Sequence, residues 1–226
     1  MKVVIDDKIP YIKGKPEALG FKAVYIPGAE ITAKDVEDAD ALVVRTRTRC
    51  DAALLAGSNV RLVVTATIGF DHIDTAYLEK AGIAWTNCPG CNAASVGQYF
   101  KSSMIVLARQ GVVDLSRCTV GIVGMGHVGT EVLKACRDLG CAALPNDPPR
   151  GEAGEKGLES LETLKRECDV ITFHVPLSKG GAHPTFHLAG AEFFSSLGKK
   201  PVIINASRGA VADNGAWLRS LESGTT

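Results

Sequence analysis

The sequence predicts an α/β protein built from two doubly wound parallel-sheet domains. Three observations carry that reading. Short apolar, strand-like runs alternate with amphipathic helix-like runs, the pattern of a parallel sheet covered on both faces. Thr119-Val120-Gly121-Ile122-Val123 runs directly into Gly124-Met125-Gly126-His127-Val128-Gly129, a G-x-G-x-x-G placed where a strand turns into a helix. An acid, Asp147, ends the next strand-like run about twenty residues later, the spacing that motif calls for.

In chain order, strand-like runs cover Val3 to Ile5, Ala23 to Ile26, Ala41 to Val44, Leu62 to Thr65 and Ile83 to Trp85. Helix-like stretches at Asp35 to Ala39, Asp51 to Ala56 and Ile73 to Lys80 separate them, each preceded by turn or capping residues. Residues 1–92 thus form a first α/β domain without a glycine fingerprint of its own, flavodoxin-like in class. Asn92 is placed to cap a long helix from Ala93 to Arg109, in which Val96, Phe100, Ser103, Met104 and Leu107 repeat at three- and four-residue steps. Residues 93–115 are expected to link the domains.

The second domain, 116–226, opens on the glycine-bearing strand. A helix with Val132, Leu133, Cys136 and Leu139 on one face follows, then a strand from Cys141 to Leu144. Leu158 to Glu167 reads as a short amphipathic helix, and Asp169 to Phe173 and Pro201 to Asn205 as strands. Asp213 or Asn214 caps a last helix through Trp217, Leu218 and Leu221, with Gly224 as its stop. A complete Rossmann fold has six strands where four are visible, so the domain is expected to be incomplete at its C-terminal end.

Composition narrows the function classes. The chain has 226 residues, 46% of them hydrophobic and 22% charged, with zero formal net charge, so neither a nucleic acid nor an anionic lipid surface is an expected partner. Apolar runs such as Ala41-Leu42-Val43-Val44 are far shorter than the roughly 18 residues of a membrane span. The N-terminus has no signal-peptide core, so the cytoplasm is the expected location. Of seven cysteines, Cys118, Cys136, Cys141 and Cys168 fall in or beside regular elements and are expected to act as small apolar residues. Cys88-Pro89-Gly90-Cys91 has the C-x-x-C spacing but no second pair, so it is read as a loop, and no metal is expected.

The glycine turn offers a site for a nucleotide diphosphate. Gly124 permits the bend, Gly126 lets backbone N–H groups approach the phosphates, and Gly129 allows the helix to pack closely on the strand. The N-terminus of the helix adds partial positive charge. Asp147 would bind a ribose 2′-hydroxyl and repel a 2′-phosphate, which favours NAD over NADP. Arg208, in Ala206-Ser207-Arg208-Gly209-Ala210, lies beyond the carboxyl end of a strand, where a guanidinium can grip a carboxylate or pair with a surface acid. Val44-Arg45-Thr46-Arg47-Thr48-Arg49, if extended, puts its arginines on one face and its threonines on the other, either a phosphate loop or a solvated rim. His72, His127 and His174 have no acid at catalytic spacing and are read as packing or hydrogen-bonding residues.

Together, Val44-Arg45-Thr46, Thr65-Ala66-Thr67-Ile68-Gly69, Val120 to Gly129, Asp147-Pro148-Pro149-Arg150, Thr172-Phe173-His174 and Asn205-Ala206-Ser207-Arg208-Gly209-Ala210-Val211 resemble the D-2-hydroxyacid dehydrogenase family along essentially the whole chain. The glycine turn and arginine loop mark the wider family; Pro89-Gly90-Cys91-Asn92-Ala93 and Asp147-Pro148-Pro149-Arg150 point to one branch of it. The resemblance implies NAD-dependent oxidation of a small phosphorylated 2-hydroxy acid, and a homodimer. It implies that Arg208 is catalytic, orienting the substrate carboxylate, and that Thr46 and Thr67 contact substrate. Gly124, Gly126, His127, Val128, Gly129, Asp147, Val175, Ala206, Ser207 and Arg208 then border the cofactor, Val175 standing where a hydroxyl residue is expected. The family's general-acid histidine and its glutamate partner are expected beyond residue 226, leaving this chain weakly active or inactive by itself. Alternatives are another dehydrogenase of the family or an NAD-binding regulator. A methyltransferase would share the glycine turn but give no reason for the Arg208 loop.

Overall fold

A computed structural model describes residues 1–226, which divide into two compact units, Met1–Cys91 and Asn92–Thr226. The first carries strands β1 (Lys2–Asp6), β2 (Lys22–Ile26), β3 (Ala41–Val44), β4 (Leu62–Thr65) and β5 (Ala84–Thr86). All are parallel, in the order β2-β1-β3-β4-β5. This is the flavodoxin-like order, with its topological switch between β1 and β3. Short helices α1 (Lys15–Ala18), α2 (Ala33–Val36), α3 (Ala52–Leu55) and α4 (Thr75–Lys80) connect the strands. Asp51 and Asp74 cap α3 and α4, each carboxylate accepting first-turn backbone N–H groups. One core packs Val4, Val36, Leu42, Val63 and Leu78; on the opposite face Val3, Ile5, Ile9 and Ala41 form a second cluster. Largely buried on both faces, the central strands β1 and β3 read as nearly continuous apolar runs, while the edge strands β2 and β5 are half-buried or exposed.

The second unit begins with α5 (Ala93–Arg109), followed by β6 (Thr119–Val123), α6 (His127–Leu139), β7 (Ala142–Asn146) and α7 (Pro148–Glu152). It continues through α8 (Leu161–Glu167), β8 (Val170–Phe173), α9 (Ala191–Ser195), β9 (Val202–Asn205) and α10 (Asn214–Glu222). Its parallel sheet has the order β7-β6-β8-β9, with the switch between β6 and β8. The α5 helix groups with this unit: its Phe100 and Met104 share a core with Val120, Ile122 and Val132, and Lys101 pairs with Asp138 of α6 at 2.8 Å. The other face of the sheet packs Leu164, Ile171, Phe173, Phe193 and Phe194.

Several elements differ from the sequence expectation. The glycine helix starts at His127, three residues earlier than its apolar periodicity indicates, because the last three residues of the fingerprint already have helical geometry. The Pro148-Pro149 pair, to which the sequence reading assigned no element, opens a helical turn; proline is well accommodated in a first turn, where its missing N–H has no partner to lose. The Arg45–Arg49 segment is not extended. It turns at Thr46 and Arg47, and buried Thr48 donates to Gly28 O at 2.7 Å, so the threonines do not share a face.

Two features of the second sheet generate tests. A Cβ at Gly121 would lie 2.8 Å from Leu164 Cγ and 2.9 Å from Cys168 Sγ, both in fully buried residues. Gly121→Ala is therefore expected to cost about 1–3 kcal/mol by overpacking, read from the urea midpoint; an unchanged midpoint would refute this close contact. At the end of β8, burial pushes the His174 imidazole down to about 4. Its Nε2 lies 2.9 Å from Thr172 Oγ1, while its buried Nδ1 has no hydrogen-bond partner. The unfolded chain, titrating near 6.5, binds this proton first, so stability falls as pH drops from about 6.5 to 4, by up to roughly 3 kcal/mol. Replacing His174 with Gln should flatten that part of the stability–pH curve, and an unaltered curve would show the histidine is not its source.

Candidate functional site

The register of the second sheet aligns Asn146, Val123, Phe173 and Asn205 across β7, β6, β8 and β9. The residues one step beyond are Asp147, Gly124, His174 and Ala206. Neighbouring strands are about 4.8 Å apart, so this carboxyl edge spans roughly 14 Å. Every residue assigned to the cofactor from the sequence lies on this edge, on a loop leaving it or in the first turn of α6. Backbone bonds continue past the strands: Gly124 N–H donates to Asn146 O at 2.8 Å and His174 N–H to Val123 O at 2.8 Å.

The three glycines have separable geometries. Gly124 has φ 96°, and a Cβ there would meet Val175 Cγ1 at 2.8 Å and His174 O at 2.9 Å. At Gly129, a Cβ would stand 2.0 Å from Gly124 O, so α6 approaches β6 closer than any side chain permits. Around Gly126 a Cβ would meet nothing within 4 Å. Its small size is not needed for packing; the space in front of it is open. Gly126 is also the N-cap of α6, and no side chain caps this helix, so its first-turn N–H groups are available to an anion. His127 is exposed at the first helical position, with Val128 half-buried behind it.

Asp147 closes the turn from the neighbouring strand. One carboxylate oxygen accepts the Met125 N–H at 2.8 Å, and the other accepts the Arg150 N–H at 3.2 Å, capping α7. An ionised carboxylate has about four acceptor positions, which leaves capacity for ribose hydroxyls. The Arg150 guanidinium bonds both Met125 O and the Glu155 carboxylate, tying α7 to the glycine turn. Val175 is half-buried, its side chain filling the space beside Gly124.

After β9, Asn205 shapes the loop that bears Arg208. Its Oδ1 accepts from Ser207 N at 3.1 Å and Ser207 Oγ at 2.7 Å, while its Nδ2 donates to Arg208 O at 2.9 Å. Arg208 is exposed, with Nη1 3.4 Å from Ser207 O. Sequence reading singled out the arginine but not the asparagine that holds its backbone. The only signal was an amide ending an otherwise apolar strand.

Thr46 and Thr67 belong to the first unit, at the carboxyl ends of β3 and β4. Thr46 is exposed in a turn. Arg45 of the same turn donates to Lys8 O at 3.2 Å, and Lys8 pairs with Asp7 at 3.3 Å, so cationic groups gather at the switch between β1 and β3. Thr67 Oγ1 donates to Gly69 O at 2.8 Å and contacts Thr65 Oγ1 at 2.7 Å, which in turn meets His72 Nε2 at 2.9 Å. Cys88 and Cys91, like the other cysteines, are free thiols. No helix is long and apolar enough to cross a membrane.

Comparison with known proteins agrees with this geometry. Residues 95–226 match the NAD-binding domain of the D-isomer specific 2-hydroxyacid dehydrogenases. The chain is 52% identical over 225 residues to an erythronate-4-phosphate dehydrogenase of Bacteroides fragilis, an alignment covering 99% of this chain and 65% of that protein. It therefore spans about two-thirds of the length of the curated relatives it matches. Among solved structures, NAD⁺-bound 3-phosphoglycerate dehydrogenase of Entamoeba histolytica superposes with a TM-score of 0.83 at 27% identity, covering 99% of this chain and 77% of that one. D-lactate dehydrogenase of Aquifex aeolicus, complexed with NAD and lactic acid, gives 0.74 at 27%, covering 99% and 74%. By its sequence, its two parallel sheets and its glycine turn, the chain belongs to the D-2-hydroxyacid dehydrogenase family.

Proposed function

We propose that this protein uses NAD to oxidise C2 of 4-phospho-D-erythronate, giving (R)-3-hydroxy-2-oxo-4-phosphobutanoate, a step of pyridoxine 5′-phosphate (vitamin B6) synthesis in the cytoplasm. The single observation that carries the cofactor half is the open, uncapped glycine turn with Asp147 bonded to its Met125 N–H. The substrate half is supported by 52% identity to a relative named for that compound. NAD supplies a hydride acceptor at its nicotinamide. The N–H groups of Gly126 to Gly129 hold its diphosphate, and Asp147 takes the ribose hydroxyls while repelling a 2′-phosphate.

Within this reading Ala206, Ser207 and Val175 border the nicotinamide half, and Arg208 grips the substrate carboxylate with paired hydrogen bonds and polarises the C2 oxygen. Thr46 and Thr67 contact the substrate in the first unit, where Lys8 and Arg45 offer charge to its phosphate. The C2 hydroxyl proton passes to a histidine held by a glutamate, the pair that the family resemblance implies beyond residue 226. The enzyme pairs as a homodimer; exposed Tyr99 and Val106 on α5 offer apolar surface to a second copy, and light scattering on the purified chain checks the mass.

Two predictions separate the roles at the turn. Gly126→Ala is expected to weaken NAD binding about tenfold or more, roughly 1.4 kcal/mol or above, with no change in unfolding midpoint. Calorimetric titration decides it, and undiminished affinity would show that no ligand approaches there. Asp147→Asn keeps an acceptor for the Met125 N–H but removes the charge, so the preference for NAD over NADP should narrow; an unchanged ratio would remove Asp147 from the ribose site. Substrate is tested on a chimera in which residue 226 is followed by the C-terminal remainder of the Bacteroides fragilis relative. Nicotinamide absorbance should rise with 4-phospho-D-erythronate and fall about 10²–10³-fold in rate in Arg208→Gln. Reduction of NAD by D-lactate but not by the erythronate phosphate would overturn the substrate and leave the family standing.

A further inference from the structure

Cys118 and Cys141 stand immediately before β6 and β7, one step outside the register pair Thr119↔Ala142. The backbone keeps this alignment, because Ala142 N–H donates to Cys118 O at 3.0 Å. Register partners on adjacent strands are about 4.8 Å apart at Cα, inside the range a disulfide spans without backbone movement. Both side chains enter the same core cluster, near enough for each thiol to influence the other's ionisation. Cys136 lies close to both and Cys168 close to Cys118, but neither is strand-paired with them.

Cys118 is only 3% exposed, yet it forms part of the wall of a cleft of about 510 Å³ at the amino end of the sheet, opposite the glycine turn. Asp114, Arg117, Asp169, Lys199 and Lys200 also line that cleft, and Lys199 pairs with Asp169 at 2.8 Å. The cleft thus brings water-sized solutes up to a residue that the rest of the fold seals off.

We propose that Cys118 and Cys141 form an oxidisable dithiol, cross-linked to a disulfide by a small peroxide entering this cleft. The Cys118 thiolate attacks one peroxide oxygen; the O–O bond breaks, hydroxide leaves, and Cys118 becomes a sulfenic acid. The Cys141 thiol then attacks that sulfur: the S–S bond forms, the S–O bond breaks, and the hydroxyl leaves with the Cys141 proton as water, while the proton first shed by Cys118 neutralises the hydroxide from the peroxide. In sum two thiols lose two hydrogens and one hydrogen peroxide is reduced to two waters. Burial, the neighbouring thiol and Asp169 push the Cys118 thiol up to about 12, so little thiolate exists at neutral pH and the cross-link forms slowly, faster in alkaline buffer. The product ties together the amino ends of the two strands that bear the glycine turn and Asp147 at their other ends. The proposal is independent of the substrate and of the reaction.

The test uses the full chain with Cys88→Ser and Cys91→Ser, which removes the exposed C-x-x-C. Treated with hydrogen peroxide in mildly alkaline buffer, it is expected to lose two hydrogens by intact mass. A peptide map should join Cys118 to Cys141, a dithiol reductant should reverse the change, and the unfolding midpoint should rise. A map joining Cys118 or Cys141 to Cys136 or Cys168, or oxidation to sulfinic acid with no cross-link, would overturn the pairing. In Cys141→Ser on the same background the reaction should stop at a Cys118 sulfenic acid, trapped by dimedone; absence of that adduct would overturn entry through the cleft.

Discussion

Everything at the carboxyl edge of the second sheet depends on how closely α6 approaches β6. The carbonyl of Gly124 stands where a side chain on Gly129 would be, and the chain reverses from strand to helix within that space. Only glycine at both positions allows the helix axis to start so near the strand. The helix N-terminus is then directed at the open side of Gly126, where an anion can be held by backbone groups without a charged side chain. Asp147 completes the turn by taking the Met125 N–H, so the same carboxylate that fixes the backbone also sets the sign of charge beside it.

Sheet register spreads this local geometry into a site. With Asn146, Val123, Phe173 and Asn205 aligned, four segments far apart in sequence leave the sheet side by side at one edge. The switch in strand order between β6 and β8 opens the crevice in which ligands of such sheets bind. The Arg208 loop needs its own support, since nothing in β9 fixes a coil. Asn205 supplies it with three hydrogen bonds, so that the arginine is carried on an ordered backbone.

Much of this was legible in the sequence, for identifiable physical reasons. β3, β4, β6, β8 and β9 are runs rich in β-branched and aliphatic residues, fully buried in β8 and half-buried in β9, and such runs announce themselves without any partner. The 93–109 helix was readable because Val96, Phe100, Met104 and Leu107 keep helical spacing over about three turns. Less visible were elements whose stability is tertiary. The Arg45–Arg49 segment has the alternation of an extended strand, yet it turns, with Thr48 N–H donating to Arg45 O at 3.4 Å and buried Thr48 Oγ1 to Gly28 O. The first turn of α7 hides behind two prolines, and α9 is too short for a periodic signal. The pairing of Cys118 with Cys141 depends on strand order, which neither local sequence contains.

The most direct test of the account follows backbone amides, because amides are what it says hold the ligand. In a ¹H–¹⁵N correlation spectrum of this chain titrated with NAD, the account predicts the largest shifts at Gly126, His127, Val128 and Gly129, with Met125 and Asp147 next. Shifts confined to residues away from the carboxyl edge of β6 and β7, with those six amides unmoved at saturation, would contradict it.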